Sequence, residues 1–403
     1  MSKSSLFTGQ PIFSQVLEFV SKGSVDKIAF ENGSDKWCRH FTTYSHLVSM
    51  LYAVFNRCTS LREVTTGLKA SEHQLIHLGL REAPKRSTIS DANTRRPEDV
   101  FGKIYEHLLN KHRHFLPDSR TGYRGVKRSK LFVVDSTTIS LFSDVLGNAG
   151  RNPANGKRKG GVKVHTLMRS DEDVPCLIRQ TAAAAHDSPF LKDIQLPEGS
   201  IIVFDKGYND YKEYQRFSNE KISWITRIKS TAVYEVTETR EVSELQASRG
   251  IIQDRLISLG HHHNNTTFVA ARLIDYRDPQ SGKEFQFLTN NTKLAPLTIA
   301  SLYRKRWQIE NLFKRLKQNY GLRYFLGDSE NAIKSQIWCT LIADLLLKIV
   351  KSVVPKTWSF SNLASIIRIH LMTYINLFEF LTNPEQAFSK KKARTDIQPS
   401  LFT

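Results

Sequence analysis

Three acidic residues stand out by the company they keep. Asp135 follows the apolar run Leu131-Phe132-Val133-Val134, and Asp205 follows Ile201-Ile202-Val203-Phe204. Glu310 sits among cations in Tyr303-Arg304-Lys305-Arg306-Trp307-Gln308-Ile309-Glu310-Asn311-Leu312-Phe313-Lys314-Arg315-Leu316-Lys317. Carboxylate oxygens are the ligands that hard ions such as Mg²⁺ and Mn²⁺ prefer. Acidic ligands converging on two such ions roughly 3.5–4 Å apart can drive in-line displacement at a phosphodiester. Taken singly, either Asp is weak evidence, because Asp after a strand is also a common turn former. Asp144, Asp187 and Asp210 are rival carboxylates. Asp144 lies beyond the strand end and Asp210 is close to Asp205, so neither displaces the primary pair.

The segment around Glu310 is more specific. The spacing predicts one long helix from about Leu297 to Tyr320. At about 100° per residue, Tyr303, Arg306, Glu310 and Lys317 then fall within roughly 60° of one another. Ile309, Leu312, Phe313 and Leu316 form the adjoining stripe, able to pack on a sheet. Arg304, Lys305, Arg306, Lys314, Arg315, Lys317 and Arg323 surround one acid. A merely solvated helix would balance its signs at i,i+4 spacing, which this one does not.

Other residues invite claims of their own. Arg151, Lys157, Arg158 and Lys159 lie in the glycine-rich stretch 148–161, a loop suited to clamping phosphates, with an idle solvated loop as the alternative. His165 reads as a packed strand histidine in preference to a group at the acid cluster. His261-His262-His263 reads as a turn, since three consecutive side chains do not readily converge on one ion. Trp224 and Trp307 are assigned to the core in preference to stacking on an extruded base.

The elements that must position these groups follow from periodicity. Phe41 to about Leu116 is helical, with Thr42 or Thr43 as an N-cap and Ser60-Leu61-Arg62-Glu63 as a capping box. The polar stretch Ser87 to Arg96 is either the exposed helix of a helix-turn-helix-like unit or part of a bundle with a solvated face. From Lys130 the chain turns β-rich: LFVVDSTTISLF, then 161–168, 174–181, a short helix near 188–194, and the strand ending at Asp205. Strands continue to about Thr289, and helices dominate from Asn331 to Leu381. That order is the skeleton of an α/β, ribonuclease-H-like catalytic core with a β-rich insertion, about 221–291, before its last helix. The expected division is a helical domain over 1–120, whose DNA-binding role is an expectation from charge and family resemblance and not from periodicity, the core over 121–330, and C-terminal helices with a basic tail over 331–403.

The chain has 403 residues, 40% hydrophobic, and Lys+Arg 58 against Asp+Glu 39 gives a net charge of +19. This composition suits two or three globular domains and a polyanionic partner, nucleic acid first. No secretory leader is visible, and the most apolar stretch, Ile337 to Val354, is interrupted by Asp344, Lys348 and Lys351. Cys38, Cys58, Cys176 and Cys339 lie far apart without a C-x-x-C motif, as expected of reduced thiols in a cytoplasmic protein. No membrane partner is expected.

The pattern Y-x2-R-x3-E-x6-K, here Tyr303, Arg306, Glu310 and Lys317, resembles the signature of the insertion-sequence-four family of bacterial DDE transposases. The first Asp in VVDST and the second in Asp205-Lys206-Gly207-Tyr208 match the same family, as does Gly161-x-Lys163-x-His165. Phe7-Thr8-Gly9-Gln10-Pro11-Ile12-Phe13, Phe41-Thr42-Thr43 and Ser60-Leu61-Arg62-Glu63 resemble the N-terminal domain of one branch. The resemblance implies that Asp135, Asp205 and Glu310 are catalytic and bind two Mg²⁺ or Mn²⁺ ions. It implies that Arg306 and Lys317 hold phosphates, with Tyr303 a third phosphate contact or a stacking partner. Lys157, Arg158 and Lys159 are further candidate DNA contacts. The implied function is cleavage at terminal inverted repeats and strand transfer into target double-stranded DNA, by a homodimer at the bacterial nucleoid. A metal-dependent nuclease without strand transfer and a non-catalytic DNA-binding derivative are the rivals.

Overall fold

The computed structural model describes residues 9–116, 126, 130–140, 150–151, 159–260, 268–322 and 324–385. The side chains of Ser140, Gly150, Arg151, Lys159 and Gly160 are outside that description. The chain forms two compact units, residues 1–116 with 315–403, and residues 117–314. The C-terminal helices therefore share a unit with the N-terminal ones.

The first unit opens with α1 (Ile12–Leu17), α2 (Lys22–Glu31), α3 (Thr43–Asn56), α4 (Leu61–Ala70), α5 (Arg86–Arg95) and α6 (Asp99–His112). Local chemistry sets several starts. The Thr42 hydroxyl accepts the Ser45 amide at the head of α3, and Ser60 accepts that of Glu63 at the head of α4. The Glu63 carboxylate reaches past Ser60 to the amide and hydroxyl of Thr59, so the expected capping box closes one residue early. In α5, Ile89 and Asn93 are buried while Ser87, Ser90, Asp91, Thr94 and Arg95 are exposed. Arg96, just past its end, is buried and paired with Asp35 at 3.2 Å.

The second unit is built on a ten-stranded sheet: β1 (Leu131–Ser140), β2 (Gly150–Arg151), β3 (Lys159–Arg169), β4 (Val174–Ala182), β5 (Ile201–Phe204), β6 (Ser223–Arg227), β7 (Tyr234–Arg240), β8 (Ile251–Leu259), β9 (Val269–Arg277) and β10 (Glu284–Thr289). The spatial order is β2-β3-β1-β5-β6-β10-β9-β8-β7, with β4 also on β3. β3 runs antiparallel to β1 and β4, whereas β5 is parallel to both β1 and β6. Parallel neighbours need a crossover. α7 (Tyr211–Asn219), a helix absent from the sequence expectation, makes it, capped by Asp210, which accepts from Lys212 and Glu213. α8 (Glu244–Ser248) links β7 to β8.

Alternation along β1 and β5 sends side chains to two cores. Val134, Ile202 and Phe204 join Tyr214, Phe217 and Trp224 on the α7 face. Leu131, Ile201 and Val203 join Ile299, Leu302 and Tyr303 of α9 (Pro296–Arg304) on the other.

Two expectations need correction. The strand expected to open the insertion, Ser223–Arg227, pairs parallel with β5 as the next strand of the same sheet, and β10, β9, β8 and β7 extend that sheet. The long helix is two, α9 and α10 (Trp307–Tyr320), parted at Lys305–Arg306. The amides of Lys305, Arg306, Gln308 and Ile309 bond carbonyls three residues back, so the chain is overwound between the helices. No Gly or Pro marks the place. The Arg306 side chain is drawn to a strand residue there, and tertiary contact overrides local periodicity.

Returning to the first unit, α11 (Glu330–Val353) is apolar nearly all round and packs on α3 and α6, followed by α12 (Phe360–Ile369) and α13 (Leu377–Thr382). Asp344 within it is tolerated because Arg315 grips it with two bonds of 3.0 and 2.9 Å. Among the described residues, no helix is long and apolar enough to cross a membrane.

Candidate active site

Parallel register brings the two aspartates together. Val133 pairs with Val203 and Val134 with Phe204, so Asp135 and Asp205 come next at one level on adjacent strands. Asp135 is not at a strand end, as the apolar run suggested. β1 continues against β3 to Ser140, and only its pairing with β5 stops at Val134. Val203 in turn pairs with Ile225, and two residues on, Arg227 meets Asp205. Three apolar strands thus each end their shared ladder in a charged side chain, on the face that α9 covers.

Each carboxylate has identifiable partners. Asp135 accepts from the Ser136 amide at 2.9 Å and from Arg306 Nη1. Arg306 Nη2 pairs with Glu310 Oε1 at 2.7 Å, so one guanidinium links Asp135 to Glu310. Asp205 Oδ1 accepts from Arg227 at 2.8 Å and from the Tyr303 hydroxyl at 3.1 Å. Gln308 anchors the start of α10, accepting from the Ser170 hydroxyl at 2.8 Å.

The electrostatics differ between the two aspartates. Burial pushes the Asp135 carboxyl up to about 6, against the opposing pull of Arg306 and the Ser136 amide. Burial also acts on Asp205, but Arg227 and Tyr303 outweigh it and hold that carboxyl below its ordinary value. Burial, then the neighbouring Asp205, raises the Tyr303 hydroxyl to about 12, so it donates. Burial opposes the Arg306 charge, yet Asp135, Tyr303 and Glu310 together raise its pKa.

The other expected residues fall as follows. The Tyr303 ring is buried against Phe287 with the Arg227 guanidinium 5.7 Å from its centroid, and its hydroxyl reaches Asp205. Lys317 lies on α10 beyond Arg315, in the part of the helix that belongs to the other unit. Lys157 and Arg158 lie outside the described residues, and Lys159 starts β3 with its side chain undescribed. The Asp144 and His261–His263 expectations also fall outside them. Trp224 is fully buried. Trp307, expected in the core, is 59% exposed, because at about 100° per residue it falls on the face of α10 opposite the packed stripe.

Arg227 escaped sequence reasoning, and Asp187 entered it only as a rival carboxylate. Arg227 carried a signal in the apolar-then-charged ending of SWITR, which parallels FVVD and IVFD. Asp187 accepts from Ser136 Oγ at 3.0 Å and pairs with Lys163 at 3.2 Å, and its Oδ1 lies 3.6 Å from His165 Nδ1. It connects the residue beside Asp135 to the Lys163 and His165 pair, whose period-two spacing was the available clue. His165 itself is packed, bonded to Thr181 and Tyr208, and burial pushes its imidazole down to about 4 despite Asp187.

Three carboxylates are the donor chemistry a hard divalent ion takes. In this arrangement the guanidinium of Arg306 supplies the positive charge between Asp135 and Glu310. Among the described residues, no three His, Cys, Asp or Glu side chains stand close enough together to hold an ion.

Comparison with known proteins shows the family. The profile described as Transposase DDE domain matches residues 127–346, and one described as Domain of unknown function (DUF4372) matches residues 8–81. The protein y4zB of Sinorhizobium fredii, named as a transposase, is 31% identical over 268 residues, 66% of this chain and 72% of that one. A Geobacillus stearothermophilus protein named for the transposase of insertion sequence element IS5377 is 26% identical, over 65% of this chain and 66% of its own. A Synechocystis protein named for that of IS4SA is 28% identical, over 67% and 72%. A cryo-EM structure of the piggyBac transposase synaptic complex with hairpin DNA aligns at TM-score 0.44 and 10% identity, covering 99% of this chain and 88% of that one. The chain belongs to the DDE transposase family. Its function is DNA transposition, and membership implies a reaction that uses a divalent metal.

Proposed function

We propose that this transposase cuts DNA at the terminal inverted repeats of its own insertion sequence and joins the ends to target DNA. In this reading the chain belongs to the insertion-sequence-four branch and works as a homodimer on bacterial nucleoid DNA in the cytoplasm. Strands β4-β3-β1-β5-β6 form its ribonuclease-H-like core. The antiparallel β4, β3 and β1 followed by parallel β5 and β6 support that assignment. The insertion then begins after Arg227. The N-terminal helices read the element ends.

The observation that carries the catalytic reading is the shared level of Asp135 and Asp205 on adjacent parallel strands, with Glu310 tied to Asp135 through Arg306. Asp135, Asp205 and Glu310 would hold two Mg²⁺ or Mn²⁺ ions. When bound, such ions lower the pKa of water or a 3′-hydroxyl and stabilise the leaving oxygen during in-line attack on phosphorus. The chain's own residues do the positioning. Tyr303 and Arg227 fix one oxygen of Asp205, while Arg306 keeps Asp135 and Glu310 from repelling each other. Arg306, Lys317 and the 157–159 cations contact DNA phosphates.

The test is cleavage of a labelled duplex carrying the native element end in Mg²⁺ or Mn²⁺. Glu310→Gln should lower cutting by about 10³-fold or more with DNA binding retained, since a metal site contributes several kcal/mol to the barrier. Equal cutting by variant and wild type would sink the assignment of Glu310. Cleavage without joining of a pre-cut end would favour a nuclease.

A further inference from the structure

The helical unit holds a cavity of about 670 Å³ that the acid site does not use. Residues 38–45 form one wall and residues 80–88 the other. Buried Leu80 and Pro84 contribute to the lining, with half-buried Phe41 beside them. Arg39, His40, Arg81 and Lys85 bring their basic side chains to it, against one acid, Glu82. Thr88, in the first turn of α5, also lines it. Lys85 is the N-cap of that helix and makes no side-chain capping bond, so the first turn adds amide dipoles of the same sign.

Some cations of this unit are already committed to partners. Arg96 and Arg315 are gripped by Asp35 and Asp344, and both serve packing. Arg39, Arg81 and Lys85 are exposed, and among the described residues none of the three is in an ion pair. Unpaired like charges gathered around one concavity repel each other, and a polyanion relieves that repulsion while releasing its own counterions. The concavity is open and its cations are long and adaptable, as suits a phosphate backbone rather than a compact ligand held by buried groups.

We infer that this cavity, which begins in the stretch 8–81 matching the family of unknown function and extends past its end to Thr88, grips the phosphate backbone of the element-end duplex through Arg39, Arg81 and Lys85. The inference rests on the proposal that the N-terminal helices read the element ends, and it assigns them a backbone-positioning site distinct from base reading.

Binding of the full-length protein to two labelled duplexes, one with the native element end and one scrambled, tests this across about 50–200 mM salt. The combined variant Arg39→Ala, Arg81→Ala, Lys85→Ala should lower the slope of log affinity against log salt by about 3, near 0.9 per lost phosphate contact. Both duplexes should weaken alike, because phosphates carry no sequence. The charge-keeping variant Arg39→Lys, Arg81→Lys, Lys85→Arg should retain the slope. An unchanged slope in the alanine variant overturns the inference, as does a loss confined to the element end. If wild type does not prefer the element end, the end-recognition proposal fails, while the slope on scrambled duplex still judges the phosphate grip.

Discussion

Asp254 and Arg272, on β8 and β9, meet through two bonds of 2.7 and 2.5 Å, and the same guanidinium donates to the carbonyls of Asn291 and Leu294. Both side chains are almost wholly buried, at 5% and 3% exposure. The group on β1, β5 and α10 uses the same chemistry differently. Three carboxylates, Asp135, Asp205 and Glu310, share two guanidiniums, Arg227 and Arg306, and Glu310 is 41% exposed. The first region matches charge for charge and closes over the result. The second leaves negative charge in excess, and Asp135 is pushed up to about 6 although an arginine touches it. Perturbed, incompletely matched acids of this kind are what the proposed catalytic reading calls for, whereas the closed pair needs no role beyond packing.

The sharpest way to break that contrast is to remove one arginine from each region. Arg272→Ala strands a buried carboxylate and should cost about 3–5 kcal/mol in urea unfolding. Arg227→Ala, facing a partly exposed Asp205, should cost about 1 kcal/mol or less while lowering cleavage. Equal stability losses would mean that both pairs are structural.

A smaller effect concerns pH. The folded-state pKa of Asp135 is raised from 3.8 to about 6, so the native chain binds more protons than the unfolded one between those values. Its contribution to stability therefore falls as pH rises through that window, by on the order of 3 kcal/mol. In metal-free buffer, Asp135→Asn should flatten that decline in unfolding midpoint between pH 4 and 6. Parallel pH profiles for variant and wild type would refute it.

The smallest change is Tyr303→Phe, which removes one hydrogen bond to Asp205 and nothing else at the site. A bond to a charged acceptor is worth about 1.5–3 kcal/mol, so cleavage should fall roughly 10–100-fold. The acid limb of the rate profile should also move to higher pH, because the Asp205 carboxyl loses a donor that depresses it. A rate and profile like wild type would remove Tyr303 from the positioning set.

Much of this arrangement could be read before folding, where the signal was local. The caps at Thr42 and Ser60 follow from side chains satisfying nearby amides. Most strands follow from β-branched runs, and the acid residues from their apolar flanks and the family signature. What escaped was non-local. β6 looked like the start of an insertion because nothing in SWITR says that its neighbour is β5. Arg96 looked like the exposed end of a polar helix, yet it is buried on Asp35, 61 residues away. The helix break at Lys305–Arg306 had no breaker residue to announce it.

The sequence alone determined which groups are available: three carboxylates on or beside apolar elements, a cation-rich segment around Glu310, and the excess of positive charge. These are properties of residue type and short spacing, and side-chain chemistry does not change on folding. Only the tertiary structure decided that Asp135, Asp205 and Arg227 stand at one level, and that Arg306 leaves the helix to bridge Asp135 and Glu310. Strand register and long-range ion pairing depend on which segments pack together, and that choice is made by the buried faces of the whole sheet rather than by any one of its strands.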